Sequence, residues 1–249
     1  MNPLYATLIL FWVGTIAGFL NVTAGGGSTL SVPTLIFLGL DASLANGTNR
    51  VAIFIQNLFS VYAFKKEKYQ QAKLSLKLSL LTLPGSIAGA VLAVKISNGL
   101  FQKILAIVMI GIIVSMLIPK SKMALDNSEN KKINWMVLLS MFFIGFYGGF
   151  IQVGVGFILM AVMNYLLKFD LIHVNMHKVF IVLIYTIPAL IIFIVTRNVN
   201  WTYGLSLAAG NALGGWCAVK ASVKKGDKLI KAALIVAIFI MALKLLEGI

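Results

Sequence analysis

Apolar residues run along this chain in long blocks separated by short polar links, over roughly 4–40, 42–64, 73–95, 101–118, 134–168, 171–196, 201–220 and 228–246. A helix crosses a bilayer in about 20 residues, and two blocks are too long for one crossing. In the first, Asn21-Val22-Thr23-Ala24-Gly25-Gly26-Gly27-Ser28-Thr29 interrupts the run from Leu4 to Leu40. Consecutive glycines each cost a helix about 1 kcal/mol relative to alanine. The pattern therefore predicts two half-helices, 4–20 and 28–40, meeting at an unwound elbow. Unwound backbone at membrane depth survives only where protein or a water-filled cavity satisfies it. Glycine lets a ligand approach its N–H groups closely, and a helix starting at Ser28 aims its positive end at the same point. By itself the cluster fits an anion site and a tight helix crossing equally well.

A second copy shifts that balance. Asn21–Phe64 aligns with Phe150–Phe193 at a constant offset of 129, which pairs Gly25 and Gly27 with Gly154 and Gly156, Asp41 with Asp170, Asn46 with Asn175 and Asn49 with Lys178. Further on, Pro84-Gly85 through Gly89 matches Ala209-Gly210 through Gly214 at an offset of 125. The long polar link Lys120–Lys132 separates the copies. The expected organisation is a first transmembrane repeat over 1–118, a cytoplasmic connector over 119–133 and a second repeat over 134–249. Broken segments at corresponding positions of two halves point to a transporter's binding site.

Composition fixes the class. Of 249 residues 60% are hydrophobic and 11% charged, with a mean hydropathy of +0.97. A soluble domain carries about 25% charged residues, so the chain is expected to be an all-α polytopic membrane protein. No lysine or arginine precedes the first apolar run, so that run lacks a signal peptide's basic start and is expected to be retained. The lone cysteine, Cys217, has no intramolecular partner. The net charge of +14 does not imply nucleic acid, because the lysines sit in links between apolar runs and read as topology signals.

Those lysines discriminate between topologies. If every block crosses once, the link with Lys220, Lys224, Lys225 and Lys228 falls on the opposite side from the links at 65–77 and 120–132. If each broken block enters and returns, the repeats are inverted and these links share one side. With the N-terminus outside a cell (inner, plasma) membrane, only Lys95, Lys103, Arg197 and Lys244 remain external. The inverted arrangement satisfies the positive-inside rule: two inverted repeats, each a broken first segment followed by three transmembrane helices.

The segment after the first elbow holds the most informative polar residues. Asp41 and Ser43 suit helix N-capping. At 100° per residue Asn46, Asn49, Arg50, Gln56, Asn57 and Ser60 share one face, and Asn175, Lys178, Tyr185 and Thr186 share the matching face of the second copy. A membrane-embedded arginine must meet a cavity or a partner. His173 and His177 stand four apart on the opposite face with no acidic or cysteine ligand placed to join them, so neither a metal site nor a cofactor is expected.

The order Ala-Gly-Gly-Gly-Ser at 24–28, then Pro33, Gly39 and Ala45-Asn46-Gly47-Thr48-Asn49-Arg50-Val51-Ala52 resembles the sulfite exporter TauE/SafE family of membrane transporters. The second-half glycines agree with that family's duplicated pattern, although Gln152-Val-Gly154-Val-Gly156 lacks the third glycine. The resemblance implies transport, and specifically export, of small sulfur-containing anions such as sulfite or sulfonates. An oxyanion offers several acceptors to Arg50, Lys178, Asn49, Gln152 and backbone N–H groups. The candidate substrate-binding set is therefore Asn21, Thr23, Gly25, Gly26, Gly27, Ser28, Thr29, Asn46, Asn49, Arg50, Asn57, Gln152, Gly154, Gly156 and Lys178, with Arg50 and Lys178 jointly holding one anion.

The seven acidic residues all fall in links or at segment ends, so no carboxylate is placed to carry a proton or bind sodium at membrane depth. An anion leaving an inside-negative cell gains roughly 2.3 kcal/mol per charge per 100 mV, enough to drive export without a coupling ion. No nucleophile–base set or paired carboxylates mark an enzyme. The expected partners are a small anion and the lipid bilayer, not nucleic acid; a homo-oligomer, an anion channel and a proton-coupled carrier of another small organic anion stay open as alternatives.

Overall fold

The computed structural model describes residues 3–117, 128, 131 and 133–224; the apolar block at 228–246 and most of the 119–133 connector lie outside the described residues. Among the described residues the chain forms nine helices and no strand: α1 (Pro3–Ala24), α2 (Ser28–Phe37), α3 (Ala42–Lys66), α4 (Ala72–Lys95), α5 (Asn98–Leu117), α6 (Trp135–Phe150), α7 (Val155–Tyr165), α8 (Leu171–Val195) and α9 (Trp201–Lys224). Three of them, α1, α4 and α8, are long and apolar enough to cross a membrane. α1 keeps helical geometry to Ala24, four residues beyond the predicted half-helix, and α2 stops at Phe37.

Helical conformation is lost between Ala24 and Ser28 and again between Phe150 and Val155. Gly25 and Gly154 each take a left-handed conformation, with φ of +88° and +74°, which glycine adopts without the steric cost a Cβ imposes. Gln152 takes φ +60° without being glycine. Strain of that kind, about 1–3 kcal/mol, persists where the surroundings over-determine the backbone.

Eight other glycines act by their missing side chains. Gly14 and Gly18 of α1 lie against the backbone oxygens of Leu207 and Asn211 on α9, while Gly210 and Gly214 of α9 lie against those of Phe11 and Thr15 on α1. The pairing of α6 with α4 repeats this: Gly145 and Gly149 face Thr82 and Ser86 oxygens, and Gly85 and Gly89 face those of Phe142 and Phe146. Two small-xxx-small pairs thus bring backbones into direct contact twice. In both pairs the numbering rises together, so the helices run parallel. The first helix of each half packs on a helix of the other half.

Further contacts set the remaining directions. Thr48 and Val51 lie beside Gly204, and Gln56 and Ser60 beside Gly215, so α3 runs parallel to α9. Ser75 bonds His177 and Ser86 bonds the Tyr185 carbonyl, so α4 runs parallel to α8. Gly47 near the start of α3 meets Phe193 and Asn198 at the end of α8, so these two cross antiparallel. The polar face read from the sequence of α3 is buried throughout: Asn46, Asn49, Arg50, Gln56, Asn57 and Ser60 expose almost nothing. Asp41, expected to cap α3, does not do so through its side chain. Its carboxylate accepts from Asn98 Nδ2, and Asn98 Oδ1 takes the Ala42 N–H instead. Asp170 does cap α8, accepting from His173 N.

Candidate substrate site

The two elbows touch. A Cβ on Gly25 would overlap the backbone of Gly156, and one on Gly156 would overlap Gly25. Beside this contact lies a buried cavity of about 10 Å³ lined by Asn21, Ser28, Ile53, Asn57, Gln152, Val155, Gly156, Lys178 and Val182. Ile53 and Val182 are equivalents at the 129-residue offset, and each is the twelfth residue of a 25-residue helix. The cavity therefore sits halfway along α3 and α8, where the two halves meet. Its volume matches one water-sized group.

Six of the residues read from the sequence line this cavity: Asn21, Ser28, Asn57, Gln152, Gly156 and Lys178. Lys178 is buried; its Nζ donates to Val22 O and Asn175 Oδ1, both at 2.7 Å, and lies 3.7 Å from Met160 Sδ. Val22 belongs to the last turn of α1, so a cation from the second half meets carbonyls at the C-terminal, negative end of a helix in the first. Ser28 Oγ accepts from Asn49 Nδ2 at 3.1 Å, and Asn49 Oδ1 accepts from Ser31 Oγ at 2.6 Å. Asn21 Nδ2 donates to Gln56 Oε1, and Asn57 Nδ2 to Ile53 O within its own helix.

Arg50 is placed differently from the expectation that it shares one anion with Lys178. Its guanidinium is fully buried and turned to the end of α6, donating to Gly148 O (3.0 Å), Gly149 O (2.5 Å), Phe150 O (3.4 Å) and Gln152 Oε1 (2.9 Å). It does not line the cavity. Asn46 Nδ2 also donates to Phe150 O. Each half thus sends a cation to the helix end before the other half's elbow: Arg50 to α6 and Lys178 to α1. A phenyl ring, Phe193, lies 4.6 Å from the guanidinium carbon.

The remaining candidates shape the elbows. Thr29 Oγ1 and Thr29 N both donate to Gly26 O, and Thr23 Oγ1 donates to Phe19 O. Gly27 packs on Ala17 and Asn21 too closely for any side chain, and Gly154 packs on Ile112. Sequence reasoning missed the apolar wall of Ile53, Val155 and Val182. It also missed Ser31, which the three-residue spacing from Ser28 places on one face of α2. Gln152 Nε2 has no hydrogen-bond partner despite complete burial. His177 is held by Ser75 Oγ and Gln71 Oε1, and His173 by Asp170; among the described residues no group of three metal-ligating side chains forms.

Among the described residues the architecture is all-helical, with apolar spans and a polar centre buried between interleaved halves, as a membrane transporter requires. The family model described as "Sulfite exporter TauE/SafE" matches residues 10–245, and the chain belongs to that family. It is 26% identical over 240 residues to a probable membrane transporter protein of Haemophilus influenzae, covering 95% of this chain and 93% of that one. It is 26% identical to YfcA of Escherichia coli K12, covering 96% and 88% of the two chains, and 26% to YunE of Bacillus subtilis 168, covering 97% and 98%; both are named probable membrane transporter proteins. No solved structure matches the chain.

Proposed function

We propose that the protein is a secondary carrier that exports small sulfur-containing oxyanions across the cell inner membrane, binding them between its two elbows. One observation carries this reading: Lys178, Ser28 and Gln152, whose amide nitrogen has no hydrogen-bond partner, all line one buried cavity at the point where the halves meet. The first turns of α2 and α7 begin beside it, so their positive ends add to the donor field. A tetrahedral oxyanion is several times larger than a water-sized space, so loading requires the elbows to part.

The same reading takes the halves as inverted repeats. Helices α1, α3 and α9 share one direction, α4, α6 and α8 share another, and α3 opposes α8, which leaves α1 and α6 antiparallel. α2 must reverse to connect α1 with the parallel α3, as a re-entrant half-helix does. Lysine placement then puts the N-terminus outside, and the membrane potential drives the anion outward.

The test is efflux of radiolabelled sulfite from vesicles holding the purified protein, with an inside-negative potential imposed. Export should accelerate with the potential and fall at least tenfold in Ser28→Ala and Lys178→Gln. Efflux equal to protein-free vesicles for sulfite, sulfoacetate and thiosulfate alike rejects the reading.

A further inference from the structure

Two amides on the cavity wall are fixed in opposite senses by the groups behind them. Arginine has donors only, so the 2.9 Å bond from Arg50 Nη1 requires Gln152 to present its oxygen to Arg50. The Gln152 amide nitrogen, in a buried side chain, is left without a partner. A backbone carbonyl has acceptors only, so the 2.8 Å bond to Ile53 O requires Asn57 to present its nitrogen there. What Asn57 keeps for a ligand is its carbonyl oxygen. Asn21, whose Nδ2 donates to Gln56 Oε1, keeps an acceptor oxygen as well. The lining therefore combines a donor at Gln152 with an acceptor at Asn57.

Both amides are set by α3. Asn57 belongs to that helix, and Gln152 is tied to its Arg50, seven residues or about 10 Å earlier along the axis. The Asn57 bond lies within one turn of α3, so parting the elbows leaves it intact. A fully deprotonated oxyanion only accepts: it meets the Gln152 N–H, but it sets a negative oxygen against the Asn57 oxygen and leaves that bond unmade. An oxyanion with an O–H or N–H of its own completes both.

From this we infer that the cavity selects oxyanions carrying a hydrogen-bond donor beside the anionic head, such as hydrogensulfite or a sulfonate with an adjacent N–H or O–H, over oxyanions that only accept. Gln152 reads the anionic oxygens, Asn57 reads the donor, and Arg50 is a positioning residue. The inference rests on the reading of the cavity as an anion site.

Sulfamate and methanesulfonate are both monoanions with the same sulfonate head, and differ by an amino group in place of a methyl, so they are the probes. Ligand-dependent thermal stabilisation of the full-length protein in lipid nanodiscs is titrated with each. Half-saturation should come at a concentration at least about tenfold lower for sulfamate. In Asn57→Leu, which keeps the bulk and removes the acceptor, the gap should shrink below about threefold. Asn57→Ala should give the same result, which separates the lost acceptor from altered packing. Sulfamate binding no tighter than methanesulfonate in the unaltered protein overturns the donor inference and leaves the anion site standing, as does stabilisation by thiosulfate with neither probe binding. A gap undiminished in both variants overturns the role of Asn57. No stabilisation by sulfamate, methanesulfonate, sulfite or thiosulfate overturns the anion site itself and the inference with it.

Discussion

Replacing Arg50 separates a ligand contact from a group that holds the second elbow in place. In Arg50→Gln the acceptors Gly148 O, Gly149 O and Gln152 Oε1 lose their charged donor. Each buried acceptor left alone costs about 1–3 kcal/mol, so three set a ceiling of roughly 9 kcal/mol. The introduced amide can serve one of them, and the desolvation cost of a buried guanidinium is relieved. Removing one partner from a buried charged network typically costs about 3–5 kcal/mol. At about 2–4 °C per kcal/mol for a chain of this size, that is a fall of roughly 6–20 °C in melting temperature without ligand. Arg50→Lys keeps the charge but loses the planar fork, and should fall between the two. The assay is thermal unfolding in lipid nanodiscs with and without the best-binding anion. Both variants should also lose affinity, because the Gln152 amide is free to turn its oxygen inward. Melting of Arg50→Gln within about 2 °C of the unaltered protein would refute the holding role. Unchanged affinity in a folded variant would refute the route through Gln152.

Two further expectations follow from the elbows and the lysines. Gly25→Ala and Gly39→Ala both put a side chain at positive φ, +88° and +94°, at about 1–2 kcal/mol each. Gly39 faces open space whereas Gly25 abuts Gly156, so chemical denaturation should show Gly25→Ala losing at least about 2 kcal/mol more; equal losses would mean the elbows do not bear on each other. For topology, cysteines at Ser128 and Ser222 in a Cys217→Ser background should both resist an impermeant thiol reagent applied outside whole cells. Labelling at Ser222 alone would restore eight single crossings.

What the sequence made legible was whatever depends on local pattern. Block lengths gave the helices to within a few residues, and the interruptions at 25–27 and 152–156 stood out because glycine and polar residues broke an apolar run. The buried face of α3 followed from helical periodicity alone. Pairings between distant segments were not legible. Arg50 sits on α3, and its partners are carbonyls of α6 about a hundred residues away, which carry no side-chain signature. Nor does a glycine announce its purpose: Gly25 and Gly154 bend the chain, while Gly85, Gly89, Gly210 and Gly214 admit a neighbouring backbone. The matched spacing of those four was visible, but not which helices they admit. The strained Gln152 was chosen for its chemistry, and its left-handed backbone has no sequence marker.

The exchange of first helices between halves has a consequence for biogenesis. α1 emerges from the ribosome first, yet the groove that Gly14 and Gly18 fit belongs to α9, starting at Leu207, 193 residues later. At about 5–20 residues per second of synthesis, α1 waits roughly 10–40 s with its Gly14 and Gly18 face turned to lipid or to an insertion chaperone. α6 has no such delay, since α4 is already made when it appears. The two halves, alike in plan, therefore mature on different schedules: the second elbow's scaffold assembles as it is synthesised, and the first is completed only once α9 has been made. Truncation before α9 would leave Gly14 and Gly18 of α1 facing no helix, handing the quality-control machinery a defect in the first half from a lesion in the second.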